Sequence, residues 1–294
     1  MVSLAVLRAM SCLSECAPPL VGYPEDSAEQ LLADTQAEVL SNEAINPEYR
    51  HLVLRAQGSA LFAKAGQFFN IACPSTDQEI PYLRRPMSVF NVAPEREQVE
   101  FLYKITGTGT RALANLARGS SLRIFGPLGN GFRLDEQWKS IVVVGRGVGL
   151  ATLAPLAEAA AERGIQVIAV LSARSNALLM SVERFAAAGA RVETVTDEEM
   201  TSHPEHVERL LRGLIEAGQA DAFFTCGSNR LMLLLKRLAS EFDISGQVAL
   251  EQQMACGIGM CFCCVRNFQT DKGIEQRRVC FEGPVFELAE ALPW

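Results

Sequence analysis

Residues Leu250–Cys280 read LEQQMACGIGMCFCCVRNFQTDKGIEQRRVC and hold five of the nine cysteines in a chain of 294 residues. Four of them, Cys256, Cys261, Cys264 and Cys280, are spaced C-x4-C-x2-C-x15-C. Three thiolates close in sequence plus one distant thiolate is how a plant-type 2Fe–2S cluster is gripped. Soft sulfur suits iron, and Gly257 and Gly259 let the backbone approach a small inorganic core. The spacing already supplies four ligands, so Cys263 is expected to point away. Two other readings use the same residues. A zinc site more often shows paired C-x2–4-C units, whereas here the first gap is x4 with glycines inside. Disulfides fit poorly with an odd cysteine count and no convincing secretory signal.

Working outward, the length allows two ordinary domains and a small third unit. Apolar residues make up 49% of the chain, enough for well-packed cores, and the net charge of −7 argues against general nucleic-acid affinity. No apolar run approaches bilayer length. The N-terminal MVSLAVLRAMSCLSEC is a poor signal peptide because Arg8 interrupts a short apolar core. Residues 1–35 are therefore read as an extension, with Cys12 and Cys16 incidental, and the expected compartment is the reducing cytoplasm.

Residues 36–137 carry short apolar runs punctuated by Pro, Gly and Asn, which predict a small antiparallel β-barrel with one helix over roughly 110–117. Arg85-Pro86-Met87-Ser88 offers a guanidinium for a phosphate and a serine for a flavin edge. Gly107-Thr108-Gly109-Thr110 then opens the helix, where free N–H groups meet a pyrophosphate. The plain readings are an edge strand with proline and a capped glycine loop.

Residues 138–245 alternate strands and helices. SIVVVGRGVGLATLAPLAEAAAERG is a buried strand, a turn at Gly145, Gly147 and Gly149, and a helix over roughly 151–163. It is close to the dinucleotide fingerprint but runs G-x-G-x-G, with leucine at 150. A second strand ends at Ser172-Ala173-Arg174-Ser175 without the acid that favours NAD, so NAD and NADP both stay open, and Arg174 is a nucleotide candidate. A helix over 177–187 follows, then a strand, a helix from Pro204, and a strand ending in Cys226-Gly227-Ser228. Cys226 reads equally as core packing.

The order R-P-x-S, G-x-G-T, GPLGNGF, glycine turn, CGS and four-cysteine loop resembles the ferredoxin-reductase superfamily. Within it, RRPMSVF, LYKITGTGT, GPLGNGF, MACGIGMCFCCV and VCFEGPVF look like the electron-transfer subunits of type B dihydroorotate dehydrogenases. The resemblance spans about residues 36–286. It implies a β-barrel FAD domain, a Rossmann-like α/β nucleotide domain with a parallel sheet, and a small 2Fe–2S segment over 246–294. It implies FAD, one 2Fe–2S cluster and NAD(P)H as cofactors, a place in pyrimidine metabolism, and a hetero-oligomer with a separate FMN-containing catalytic subunit. By position, FAD meets Arg85, Pro86, Met87 and Ser88, then Leu102, Tyr103 and Lys104, then Gly109 and Thr110. Pyridine nucleotide meets Gly145, Gly147, Gly149, Arg174, Cys226 and Gly227. Nicotinamide reduces the flavin and the cluster carries electrons onward. Two departures stand out: the longer N-terminal tail, and GRGVGLATLAPL in place of the commoner G-G-G-I-G-x-A-P-L. The chain holds no second barrel and no dihydroorotate base, so a partner must supply them. Other partners remain readable at this level: a dihydropyrimidine dehydrogenase, a glutamate-synthase-like subunit or a ferredoxin. A zinc-stabilised redox sensor is the reading from another class.

Overall fold

A computed structural model describes residues 32–76 and 80–293; the expectations for Cys12, Cys16 and the first 31 residues lie outside the described residues. The first sheet is antiparallel, in the order β4-β3-β7-β1-β2-β6-β5. Its strands are β1 (Ala33–Ala44), β2 (Tyr49–Arg55), β3 (Phe68–Ile71), β4 (Arg85–Ser88), β5 (Asn91–Ala93), β6 (Gln98–Lys104) and β7 (Ser121–Leu128). β4 and β5 end opposite edges of that order, yet only Val89 and Phe90 join them. Two residues span at most about 7 Å, so the sheet must curl until its edges meet, giving a half-barrel. Val39, Leu52, Leu54, Phe69, Ile71, Phe101 and Ile124 are fully buried inside it. Helix α1 (Thr108–Ala114) caps the curl.

The second sheet runs β10-β9-β8-β11-β12-β15, parallel except for β15. Its strands are β8 (Ser140–Arg146), β9 (Gln166–Ala173), β10 (Arg191–Thr196), β11 (Ala222–Cys226), β12 (Ser245–Ala249) and β15 (Val285–Glu287). A parallel sheet needs both faces covered. Ile141 and Val143 of β8 face α2 (Gly149–Glu162) and α3 (Val182–Ala187). Val142 and Val144 face α4 (Pro204–Glu216) and α5 (Asn229–Phe242). The expected helix over 177–187 is shorter than its sequence pattern. A single 3-10 turn at Asn176–Leu178 is followed by Ser181 in the left-handed region (φ 64°), and α3 starts only at Val182. Strand order reverses between β8 and β11, and that switch opens a crevice at their carboxyl ends.

The C-terminal stretch returns to both units. β12 and β15 complete the edge of the parallel sheet, while β13 (Val265–Thr270) and β14 (Gly273–Arg278) form a separate hairpin. Phe268, Val279, Cys264 and Cys280 share one core with Phe68 and Leu128 of the half-barrel and with α4 and α5. The thiol loop is thus anchored against both larger units. No helix among the described residues is long and apolar enough to cross a membrane.

Candidate functional site

The hairpin explains the longest gap in the cysteine pattern. Val265 pairs with Arg278 at its open end, so the residues just outside the ladder meet. The Cys280 N–H donates to Cys264 Sγ at 3.4 Å, and the Val279 N–H donates to the Cys264 carbonyl at 3.1 Å. The other pair forms within the tight loop, where the Cys256 thiol hydrogen-bonds to Cys261. N–H groups of Cys263 and Cys256, then that thiol, hold the Cys261 pKa down to about 6. Cys280 is pushed the other way, up to about 12, first by burial and then by its bond with Cys264, although the Gly259 N–H donates to its sulfur at 3.2 Å. Gly257 holds φ at 76°, and a Cβ there would lie 2.3 Å from Asn70 Nδ2. Glycine is required there for both dihedral and space.

No three described His, Cys, Asp or Glu side chains converge on one metal-ion position. The thiols converge as two pairs, which fits a binuclear cluster with two thiolates on each iron. Backbone N–H groups aimed at sulfur favour the thiolate form. Cys263 donates its thiol to the Gln253 carbonyl at 3.3 Å, while also lying within hydrogen-bonding reach of Cys261.

The half-barrel presents the second part of the site. Arg85 and the glycine turn meet: a Cβ on Gly109 would lie 3.0 Å from Arg85 Nε and 3.1 Å from Cys73 Sγ. The Thr110 hydroxyl accepts from the N–H groups of Thr106 and Gly107 at 2.9 and 3.1 Å, so it shapes the turn rather than facing outward. Met87 and Tyr103 point into the barrel core. Burial pushes the Tyr103 phenol up to about 12, and its hydroxyl donates to Asn42 Oδ1 at 2.9 Å. Only its main chain is left free to meet a ligand. Leu102 faces the other way, packing with Tyr49, Ala151 and Met180 between the two larger units.

Pro86 and Ser88 lie directly opposite Asn70 and Phe68 in the β3–β4 ladder, and opposed residues share a face. Asn70 is 1% exposed, its Oδ1 lacks a hydrogen-bond partner, and its amide abuts Gly257. One buried side chain therefore separates the R-P-M-S face from the thiol loop. Nothing in the sequence singles out Asn70; only the strand register reveals it. The Arg85 guanidinium against the Gly109 turn and the open space over Gly107 suit a phosphate-bearing group such as FAD.

The crevice at the strand switch holds about 250 Å³ and is lined by Tyr49, Lys104, Arg146, Gly147, Arg174, Gly227 and Glu251, among others. Gly147 faces it with φ at 57°. Gly145 and Gly149 do not. A Cβ on Gly145 would meet Leu150 at 2.7 Å, and one on Gly149 would meet the Cys226 backbone at 2.5 Å, so these two allow α2 to sit close to β8 and β11. Cys226 is buried beneath, and burial drives its thiol far above the ordinary range. Arg146, which departs from the glycine pattern, donates to Ser172 Oγ at 2.8 Å and pairs with Asp197 at 2.6 Å. Arg146 and then Ser202 hold the Asp197 carboxyl low. Glu48 pairs with Lys104 at 2.9 Å and also with Arg174, bridging the two larger units; Lys104 and then Arg174 keep its carboxyl low. Glu251 reaches water in the crevice, yet the protein packed around it pushes its pKa up. Of the residues that line the crevice, Lys104, Arg146 and Arg174 are cations and Glu251 is a carboxylate, a balance that suits an anionic dinucleotide.

Residues 251–291 match the family model for the iron–sulfur cluster binding domain of dihydroorotate dehydrogenase B. The chain is 34% identical over 257 residues to the "dihydroorotate dehydrogenase B (NAD(+)), electron transfer subunit" of Caldanaerobacter subterraneus subsp. tengcongensis, covering 87% of this chain and 98% of that one. It is 32% identical to the protein of the same description in Enterococcus faecalis, covering 86% and 96%. Among solved structures, an NADH-dependent reduced ferredoxin-NADP oxidoreductase superposes with a TM-score of 0.72 at 24% identity, covering 86% of this chain and 88% of that one. A ferredoxin reductase of carbazole 1,9a-dioxygenase superposes at 0.58 with 18% identity, covering 72% and 66%.

Proposed function

Because the chain belongs to the family of dihydroorotate dehydrogenase B electron-transfer subunits, we propose that it carries electrons between NADH and an FMN-containing catalytic subunit. It is an oxidoreductase subunit with FAD, a 2Fe–2S cluster and NAD as its redox groups, and it works in a hetero-oligomer with the catalytic subunit. When bound, FAD takes a hydride from nicotinamide, and the cluster handles single electrons.

We assign the parts as follows. Residues 36–137 hold FAD, with Arg85 and the Gly107–Thr110 turn on its phosphates and Pro86, Ser88, Leu102 and Lys104 beside its ring; Met87, Tyr103 and Thr110 shape that site from within. Residues 138–245 hold the nucleotide, with Gly147, Arg146, Arg174 and Gly227 at the crevice. Gly145, Gly149 and Cys226 support it from below. Residues 246–294 hold the cluster on Cys256, Cys261, Cys264 and Cys280. A cytoplasmic setting accords with a thiolate ligand set, which needs a reducing compartment.

The observation that carries this reading is the single buried Asn70 between the Pro86–Ser88 face and the Gly257 loop. The chain holds its flavin face and its thiol loop close enough for electrons to pass without a moving carrier. The test is anaerobic titration of the purified protein with NADH and, separately, NADPH, followed by addition of the oxidised catalytic subunit. Expected are bleaching of flavin and iron–sulfur absorbance by NADH at lower concentration than NADPH, then return of colour as the partner is reduced. Bleaching that the catalytic subunit does not reverse would contradict the proposal.

A further inference from the structure

Beside the thiol loop stands an ion pair that the ligand pattern does not use. Arg278 ends β14, two residues before Cys280. Its Nε and Nη2 donate to the Glu282 carboxylate at 3.0 and 2.5 Å, and its own N–H donates to Glu282 Oε2 at 2.8 Å. Its Nη1 donates to the Gly259 carbonyl at 3.2 Å. Gly259 in turn donates its N–H to Cys280 Sγ at 3.2 Å. The guanidinium lies over two rings, 5.2 Å from the Phe262 centroid and 4.6 Å from that of Phe281. Its neighbour Arg277 is turned away, to Glu290 at 2.6 Å. Arg278 is thus held on four sides next to the Cys264–Cys280 pair, and its charge reaches both sulfurs.

We propose that Arg278 and Glu282 set the reduction potential of the cluster, Arg278 raising it and Glu282 lowering it. This rests on the assignment of the four cysteines as cluster ligands. Reduction adds one negative charge to the cluster, so a nearby cation favours the reduced form and a nearby anion opposes it. Hydrogen bonds to the sulfurs also favour the reduced form, and Arg278 holds Gly259 where its N–H meets Cys280. Replacing Arg278 by Gln removes the cation, leaves the Glu282 carboxylate unpaired, and loosens the Gly259 tether. All three effects lower the potential. Replacing Glu282 by Gln removes the anion while keeping an oxygen for the Arg278 N–H, so the potential rises. Arg278 and Glu282 are positioning residues, because neither is a ligand.

The experiment is redox titration of the FAD- and iron-loaded protein, with the cluster read by electron paramagnetic resonance and iron and sulfide measured in the same samples. For Arg278→Gln, the reduced-to-oxidised ratio at fixed ambient potential should fall about three- to tenfold, tenfold being 59 mV for a one-electron couple. For Glu282→Gln the ratio should rise by a similar factor. Arg278→Lys keeps the charge but not the fork and should fall between wild type and Arg278→Gln. If Arg278→Gln loses its iron, Glu282→Gln and Arg278→Lys decide alone. Iron-loaded variants that do not shift, or that shift in the same direction, overturn the proposal and leave the ligand assignment standing. A wild-type protein that binds no iron or sulfide overturns the assignment itself.

Discussion

Replacing Gly147 by Ala separates backbone strain from nucleotide contact. Gly147 holds φ at 57°, a region in which an L-residue is disfavoured by about 1–2 kcal/mol. The added methyl would lie 3.1 Å from Tyr49 Oη and within 4 Å of nothing else outside its chain neighbours. Tyr49 is nearly buried against Leu102, Ala151 and Met180, so its ring gives way by only a few tenths of an ångström. The total cost is about 1–3 kcal/mol, which lowers Tm by about 2–4 °C per kcal/mol for a protein of this size. The same methyl enters the crevice, and loss of one good phosphate contact costs about 1.4 kcal/mol, or tenfold in Kd. The assay is calorimetric titration of the oxidised, FAD-loaded protein with NAD+ and with ADP-ribose, beside thermal melts and FAD and iron content. Expected are a Kd raised about tenfold or more and unchanged FAD and iron. Gly149→Ala is the contrast. Its Cβ strikes the Cys226 backbone, which cannot rotate away, so the fold itself is damaged by about 3 kcal/mol or more. Wild-type NAD+ affinity in a Gly147→Ala protein with a lowered Tm would refute the placement of the nucleotide at this turn.

Arg85→Ala removes a charge-assisted contact worth about 1.5–3 kcal/mol. FAD should be lost on gel filtration while iron stays, and full FAD retention would remove Arg85 from the flavin site. Glu251→Gln tests the crevice carboxyl. Its folded pKa is raised above 4.5 by burial, so its contribution to stability is present below 4.5 and lost as pH rises through the folded value. Glu251→Gln should melt above wild type at pH 8 and level with it near pH 4. A lower melting point at pH 8 would mean that the carboxylate has a favourable partner. Lys104→Met removes one of the cations that line the crevice and should weaken nucleotide binding in a salt-dependent manner; an affinity insensitive to salt in both proteins would argue against a charge contact there.

Much of this architecture is legible in local chemistry. The cysteine spacing, the strand–turn–helix at Ser140–Glu162 and the glycine-rich closure at Gly126–Gly131 all carry short-range signals. The x15 gap carried one too: Thr270-Asp271-Lys272-Gly273 is a turn between two short alternating runs, and that hairpin brings Cys280 back to Cys264. Other features depend on register and lie outside any local window. Asn70 matters because it opposes Pro86 and meets Gly257. Tyr103 turns inward while Leu102 turns outward because strand side chains alternate. Gly145 and Gly149 read as phosphate residues but serve close packing, a distinction visible only once β11 lies beside β8. Arg146 looked like a flaw in a glycine pattern, yet it ties β8 to Ser172 and Asp197. The helix read over 177–187 failed at its start, where Ser181 adopts a left-handed dihedral. Spacing alone favours iron–sulfur over zinc, and the match over 251–291 agrees.

The central claim is that Cys256, Cys261, Cys264 and Cys280 hold the cluster. Iron and acid-labile sulfide, measured with visible absorbance in five single Cys→Ser proteins, test it directly, because serine is a poor iron ligand. The four ligand variants are expected to lose iron, sulfide and colour while keeping FAD and NADH oxidation with a small dye. Cys263→Ser is expected to retain the cluster. Loss of iron in Cys263→Ser with retention in Cys264→Ser would contradict the ligand register, and full iron in all five would contradict the account itself.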